Sequence, residues 1–206
     1  MSAMKNTGTI SAWFKLETLA GNTGYIMRIQ GDNDNQISLF YHALNNDIQS
    51  TYRSGGASKS ALTPLAESDN LWHHCAATWD SSGNVSLYLD GILKDSDAIT
   101  NVFVGSVTAA AIGSTTVANN FWKGNIDELS LFNKELDSTE VSTLYNDGLP
   151  FNPKPLANMI GYWKMGDGGI VGDPIATFPT IVDETGNNNG TMTNMTSTDF
   201  VADVPE

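Results

Sequence analysis

Cysteine is almost absent. Cys75 is the only one in 206 residues, so no disulfide can form within the chain. Basic residues are scarce too. Ten Lys and Arg stand against 23 Asp and Glu, a formal net charge of −13. That balance argues against nucleic-acid binding, which needs basic patches to displace counterions. It suits cation binding or simple solubility. No apolar run reaches the roughly 18–20 residues of a membrane span, so membrane insertion is not expected. The N-terminal residues lack a basic segment followed by an apolar stretch, so no signal peptide is expected either.

Catalytic patterns are missing as well. Glycoside hydrolysis needs two carboxyl groups roughly 5–10 Å apart, but no Glu-x-Asp-x-Glu run occurs. Asp127 and Glu128 are adjacent, which on a strand sends them to opposite sides. There is no serine nucleophile elbow and no phosphate loop. Cys75 follows His73 and His74, yet it shares its strand face with Ala77 and Trp79. A buried, inert thiol is expected rather than a nucleophile. These absences together predict a non-catalytic chain.

What is present is strand-forming. Nineteen glycines, abundant Asn, Ser and Thr, and only 16% charged residues fit many short strands joined by turns. At this length a single sandwich buries roughly 70% of its unfolded surface. The stretch Trp72–Ser96 shows the pattern best. Cys75, Ala77 and Trp79 alternate with His74, Ala76 and Thr78; after a turn, Val85, Leu87 and Leu89 alternate with Ser86, Tyr88 and Asp90. Asp90-Gly91 is a two-residue hairpin signal. The same reading predicts strands near 9–16, 25–30, 36–42, 47–53, 71–79, 84–90, 92–95, 101–104, 109–113, 121–132, 159–165 and 190–195. Loops are predicted at Gly31–Asn35 and Arg53–Ser58. One helix is predicted near 138–146, with Asp137 and Glu140 forming a capping box, Val141, Leu144 and Tyr145 its apolar stripe, and Gly148 its C-cap. Leu149–Leu156, with three prolines, reads as a linker.

The Trp72–Ser96 hairpin resembles the central hairpin of the laminin G-like, concanavalin A-like jelly rolls. Phe121–Gly148 resembles their last strand and following helix, and Gly8–Thr18 an early core strand. Gly161–Gly168 (GYWKMGDG) and Val182–Met195 resemble segments that usually open such a domain. The resemblance implies an all-β, two-sheet antiparallel jelly-roll sandwich with one short helix, spanning 1–206 as a single domain. Residues 156–206 would supply its closing strands. YWKMGDG, NNNGTMTNM and DVP are similar to phrases in bacteriophage structural proteins. They imply an adhesion domain of a tail fibre or capsid decoration, at a virion or extracellular surface. Its partners would be a surface glycan or other virion proteins, and an oligomer is possible. A secreted bacterial lectin, adhesin or carbohydrate-binding module is the first alternative. A glycan-degrading enzyme of the same fold is the second.

The family resemblance also implies a structural calcium ion at Asp127, with Asp183, Asn187 and Asn188 of the Asn/Gly-rich loop as partner ligands. Asp127 is expected to share a strand face with Leu129 and Leu131, where a bare carboxylate would be costly. The alternative is that Asp127 caps a turn and Asp183 begins an Asx turn. Asp32 and Asp34 read as a plain hairpin. For a glycan, Trp122, Tyr52 and Tyr41 are the candidate platforms, with Trp13 and Tyr88 behind them. Trp72, Trp79 and Trp163 are expected in the core.

Overall fold

The computed structural model describes residues 2–66, 69–165, 179–201 and 203–205. In chain order the strands are β1 (Thr7–Leu16), β2 (Thr23–Asp32), β3 (Asn35–His42), β4 (Asp47–Ser54) and β5 (Ala57–Pro64). Then come β6 (Trp72–Asp80), β7 (Asn84–Leu89), β8 (Ile92–Ala98), β9 (Ala109–Ile112) and β10 (Gly124–Phe132). The helix α1 (Ser138–Tyr145) precedes β11 (Met159–Trp163), β12 (Thr180–Ile181) and β13 (Gly190–Thr191). Two antiparallel sheets form the sandwich. One runs β11-β10-β1-β6-β7-β8 and the other β5-β4-β3-β2-β9; β12 and β13 make a separate small pair.

Alternation puts the apolar sets face to face. Ile10, Ala12 and Phe14 of β1, Cys75, Ala77 and Trp79 of β6, and Val85 and Leu87 of β7 meet Met27, Ile29, Ile37, Leu39 and Ile48 of the other sheet. All are at most 1% exposed. Each large aliphatic side chain so buried is worth about 1.5–3 kcal/mol. A second, smaller core lies outside the six-stranded sheet. There Ala76, Tyr88 and Phe132 are covered by Leu136, Val141 and Leu144. Val141 and Leu144 hold helix α1 against that face, and the capping box of Asp137 and Glu140 closes its N-terminus, as the sequence predicts. Its stop differs: Asn146, at φ 47°, is the C-cap rather than Gly148.

Three predicted elements change. Residues 101–104 form no strand; side chains fix them instead, with Tyr52 Oη accepting the Phe103 N–H at 2.9 Å and Asn35 Oδ1 that of Val104 at 2.8 Å. The predicted strand at 190–195 shrinks to Gly190–Thr191. β5, placed at the end of a predicted loop, is an added strand. It lies at the sheet edge, and β8 of the other sheet shields it: Asp97 accepts from the Ser60 N–H at 3.3 Å and Asp95 from that of Leu62 at 3.0 Å.

β11 pairs with β10 at the opposite edge of the six-stranded sheet, placing Trp163 in the main core. Of the closing phrases, Gly166-Asp167-Gly168 lies outside the described residues, as do 166–178 as a whole.

Candidate functional site

The residues predicted to hold calcium divide into two places. Opposite Ala12 of β1, β10 carries the extra residue of a β-bulge, with Glu128 at φ 48°. The bulge reverses the alternation. Asp127 therefore pairs with Trp13 on the outer face, not with Leu129 and Leu131 on the core face. This corrects the expectation from simple alternation. Its Oδ1 accepts the Glu128 N–H at 2.9 Å.

Asp183, Asn187 and Asn188 do come together, beside Tyr162, whose strand partner Ser130 lies three residues beyond Asp127. Asp183 is 1% exposed. Its Oδ1 accepts the N–H groups of Tyr162 (2.9 Å) and Thr185 (3.0 Å). Its Oδ2 accepts the Thr185 hydroxyl (2.7 Å), the Asn187 and Asn188 N–H groups (3.3 and 2.8 Å) and the Asn188 amide (3.2 Å). Burial pushes this carboxyl up, but the donors from Thr185, Tyr162 and Asn188 outweigh it and hold its pKa below the usual value. Donors converging on both oxygens stand where a cation would need oxygen ligands, so the arrangement does not fit calcium. Among the described residues no three His, Cys, Asp or Glu gather as a metal site. Asp183 acts instead as the hub of its own loop, in the Asx-turn manner.

The predicted aromatic platforms are mostly internal. Tyr41 is fully buried and donates to the Leu65 carbonyl at 2.9 Å. Tyr52 is 1% exposed and donates to the Lys5 carbonyl at 2.7 Å. Tyr88 lies under α1. Trp122 is half-buried, edge-on to Phe14 at 5.5 Å. Tyr41, Tyr52 and Tyr88 are thus not surface platforms, whereas Trp122 remains partly exposed.

A cleft of about 550 Å³ opens elsewhere, beside the six-stranded sheet. Trp13 from β1, Trp72 and His73 from the head of β6, Asp90 from the β7–β8 turn, Tyr145 from the end of α1 and Asp203 near the C-terminus line it. The Asp90-Gly91 turn has both residues at positive φ, 51° and 73°, the two-residue hairpin that the sequence predicts. A Cβ on Gly91 would come within 2.8 Å of the Tyr145 ring, so glycine also lets the turn approach the helix. Tyr145 stacks on Trp13 at 5.9 Å and 24°.

The polar wall is tied together. His73 Nδ1 lies 2.8 Å from Asp90 Oδ2, and Nε2 lies 2.8 Å from Asp69 Oδ2. The Asp90 bond above all raises the His73 pKa to about 8, against burial and with help from Asp69. Asp90 itself is pushed up by burial but pulled lower still by His73 and by the His74 N–H. Asp203 is held low by the Lys15 ammonium at 2.8 Å and by the Trp72 indole, which donates to Oδ1 at 3.0 Å. Asn125 adds a third donor at 3.2 Å. Trp72, expected in the core, is thus half-buried in the cleft wall. Its strand-end position was the available signal. Tyr145 was read as helix stripe, Asp90 as a hairpin turn and Asp203 only as part of the DVP phrase.

Residues 2–142 match the family described as the concanavalin A-like lectin/glucanases superfamily, of laminin G type. The chain belongs to this superfamily. An 80-residue stretch, 37% of the chain, is 32% identical to botulinum neurotoxin type G of Clostridium botulinum and covers 6% of it. The structure of that toxin's binding domain aligns with a TM-score of 0.56 and 25% identity, over 69% of this chain and 36% of the toxin domain. The superfamily member thus spans about a third of that domain. A proposed carbohydrate-binding protein from Bacteroides ovatus aligns over 91% of this chain and 52% of its own, with a TM-score of 0.66 and 20% identity. Domain 4 of AbnA, a GH43 extracellular arabinanase from Geobacillus stearothermophilus, was solved with arabinotriose. It aligns over 69% of both chains with a TM-score of 0.58 and 23% identity.

In this superfamily member Cys75 is wholly buried, and burial pushes its thiol well above the ordinary range. It faces the core, away from the cleft.

Proposed function

We propose that this superfamily member is a non-catalytic glycan-binding module whose cleft receives the saccharide. The carrying observation is the pairing of Trp72 and Tyr145 with the ionised carboxylates of Asp90 and Asp203 in one open cavity. Aromatic surface receives the C–H faces of a sugar, and carboxylates accept from its hydroxyl groups. Both carboxylates have lowered pKa values, whereas a glycosidase keeps one of its pair raised as a general acid. The toxin binding domain, the arabinotriose-bound domain and the Bacteroides ovatus protein support a binding role.

The setting we propose is adhesion at a surface, in a bacteriophage tail fibre or decoration protein, on the strength of the YWKMGDG, NNNGTMTNM and DVP phrases. Virion structural genes beside this one would support that setting; polysaccharide-use genes would transfer the module to a bacterial surface. The binding reading is tested on a glycan array with the unmodified chain and Trp72→Ala. A loss of about tenfold or more in affinity is expected. Array hits unaffected by this change, or polysaccharide turnover abolished by a single Asp or Glu substitution, would overturn it.

A further inference from the structure

The outer face of the five-stranded sheet carries a cation without a counter-charge. Arg28 of β2 is half-buried, and its Nε is shut off from solvent with no hydrogen-bond partner. Among the described residues Arg28 enters no ion pair, although Arg53 on the same face pairs with Asp34 at 3.4 Å. Of the two arginines of the chain, Arg28 is the one without a carboxylate partner among the described residues. That Nε has given up hydration without gaining an acceptor.

The surroundings have the form of a site. β2 bulges between Tyr25 and Met27. Without the bulge, Tyr25 and Arg28 would face opposite sides of the sheet; with it, both face outward. The guanidinium carbon then stands 5.6 Å from the centroid of the Tyr25 ring. Tyr25 pairs across the strands with Phe40, the rings 5.0 Å apart and 21° from parallel. The neighbours of Arg28 on either side are small, Ser38 on β3 and Ala111 on β9. Gln49, opposite Phe40, adds an amide.

We infer that this face is a second binding site, separate from the cleft, and that it takes a carboxylate-bearing sugar such as a uronate. The carboxylate meets the forked guanidinium, and the sugar ring lies on the aromatic pair. Charge complementarity selects this occupant. The acidic surface elsewhere disfavours anions. The Arg28 fork beside the Tyr25 ring matches a carboxylate in a way that the Lys94 and Lys123 ammoniums, exposed and without an ion pair among the described residues, do not. The cleft, with Asp90 and Asp203, offers the reverse chemistry and suits neutral sugars.

The experiment is calorimetry on the full chain with trigalacturonate and its methyl ester, at low and high salt. The acid should bind at least ~10-fold more tightly than the ester, as a charged hydrogen-bonded pair implies. The preference should weaken with salt. Arg28→Gln should remove it, while Trp72→Ala in the cleft leaves it intact. Ala111→Glu, on the edge strand, sets a carboxylate beside the guanidinium and should also abolish it, which guards against misfolding of the Arg28 variant. Equal affinity for acid and ester in the Trp72→Ala chain, where the cleft no longer takes up the neutral ester, no binding of either at millimolar concentration, or a preference that survives Arg28→Gln would each overturn the inference. Loss in Trp72→Ala alone would assign the acid to the cleft and overturn it too. Neutral-glycan binding by the cleft is read separately, so the two readings fail independently.

Discussion

Asp90 Oδ2 lies 2.8 Å from His73 Nδ1, and this contact ties the β7–β8 turn to the head of β6. His73 and its neighbour His74 titrate in opposite senses, His73 through this pair and His74 through burial. The His73 pKa is raised from 6.5 to about 8, chiefly by Asp90. Its contribution to stability is complete below the unfolded value and is lost as pH rises through about 8. His74, completely buried, is lowered by that burial to about 4. Below about pH 6.5 the unfolded chain takes up a proton that native His74 refuses, so stability also falls on the acid side.

Melting temperature should therefore peak at roughly pH 6–7. The alkaline arm should be on the order of 1 kcal/mol, because the His73 pair is partly exposed to solvent. His73→Asn should flatten that arm and leave the acid arm in place. Calorimetric scans between pH 5 and 9 check this; an unchanged alkaline arm in the variant would count against it.

Chelation should not move the melting temperature, since Asp183 is satisfied by N–H and O–H donors. Asp183→Ala should lower stability by roughly 2–4 kcal/mol, because several buried donors lose their acceptor at once. Calcium titrated into chelator-treated protein provides the check. A rise in melting temperature on adding calcium would show that the loop rearranges around a metal.

Tyr52→Phe should destabilise the fold by about 1–3 kcal/mol and leave glycan binding unchanged. It strips the buried Phe103 N–H of its acceptor and the Lys5 carbonyl of its donor. Denaturant unfolding together with the glycan array separates this structural role from a ligand role.

A chain ending at Pro155 should be insoluble or strongly destabilised. It would lose Trp163 from the core and Tyr162 from β11, and it would bare the edge of β10. It would also break the 2.7 Å pair between Lys154 and Glu184. A truncated chain that stays monomeric and melts like the full one would make the segment an appendage.

The sandwich was readable because its signals are local. The Asp90-Gly91 turn, the Asp137–Glu140 capping box and the alternation from Cys75 to Trp79 each lie within a few residues. β5 was not readable: Ala57, Ser58, Lys59 and Ser60 carry little strand propensity, and the strand forms because β4 and β8 supply its partners. Asp127 was misplaced because one extra residue at Glu128 reverses which face it joins. Of the cleft's residues only Trp13 was named as a candidate, one aromatic among several. Trp13, Trp72, Tyr145 and Asp203 are far apart in the chain, and only β1–β6 pairing and the docking of α1 bring them together.

The two carboxylates of β8 that accept the Ser60 and Leu62 N–H groups have a consequence for assembly. A second chain seeking to extend the five-stranded sheet at β5 would find those donors already engaged by side chains. On that flank the molecule is blunt to strand recruitment. High local density then does not convert neighbouring copies into a continuous sheet through β5. Asp95→Ala combined with Asp97→Ala would remove that block.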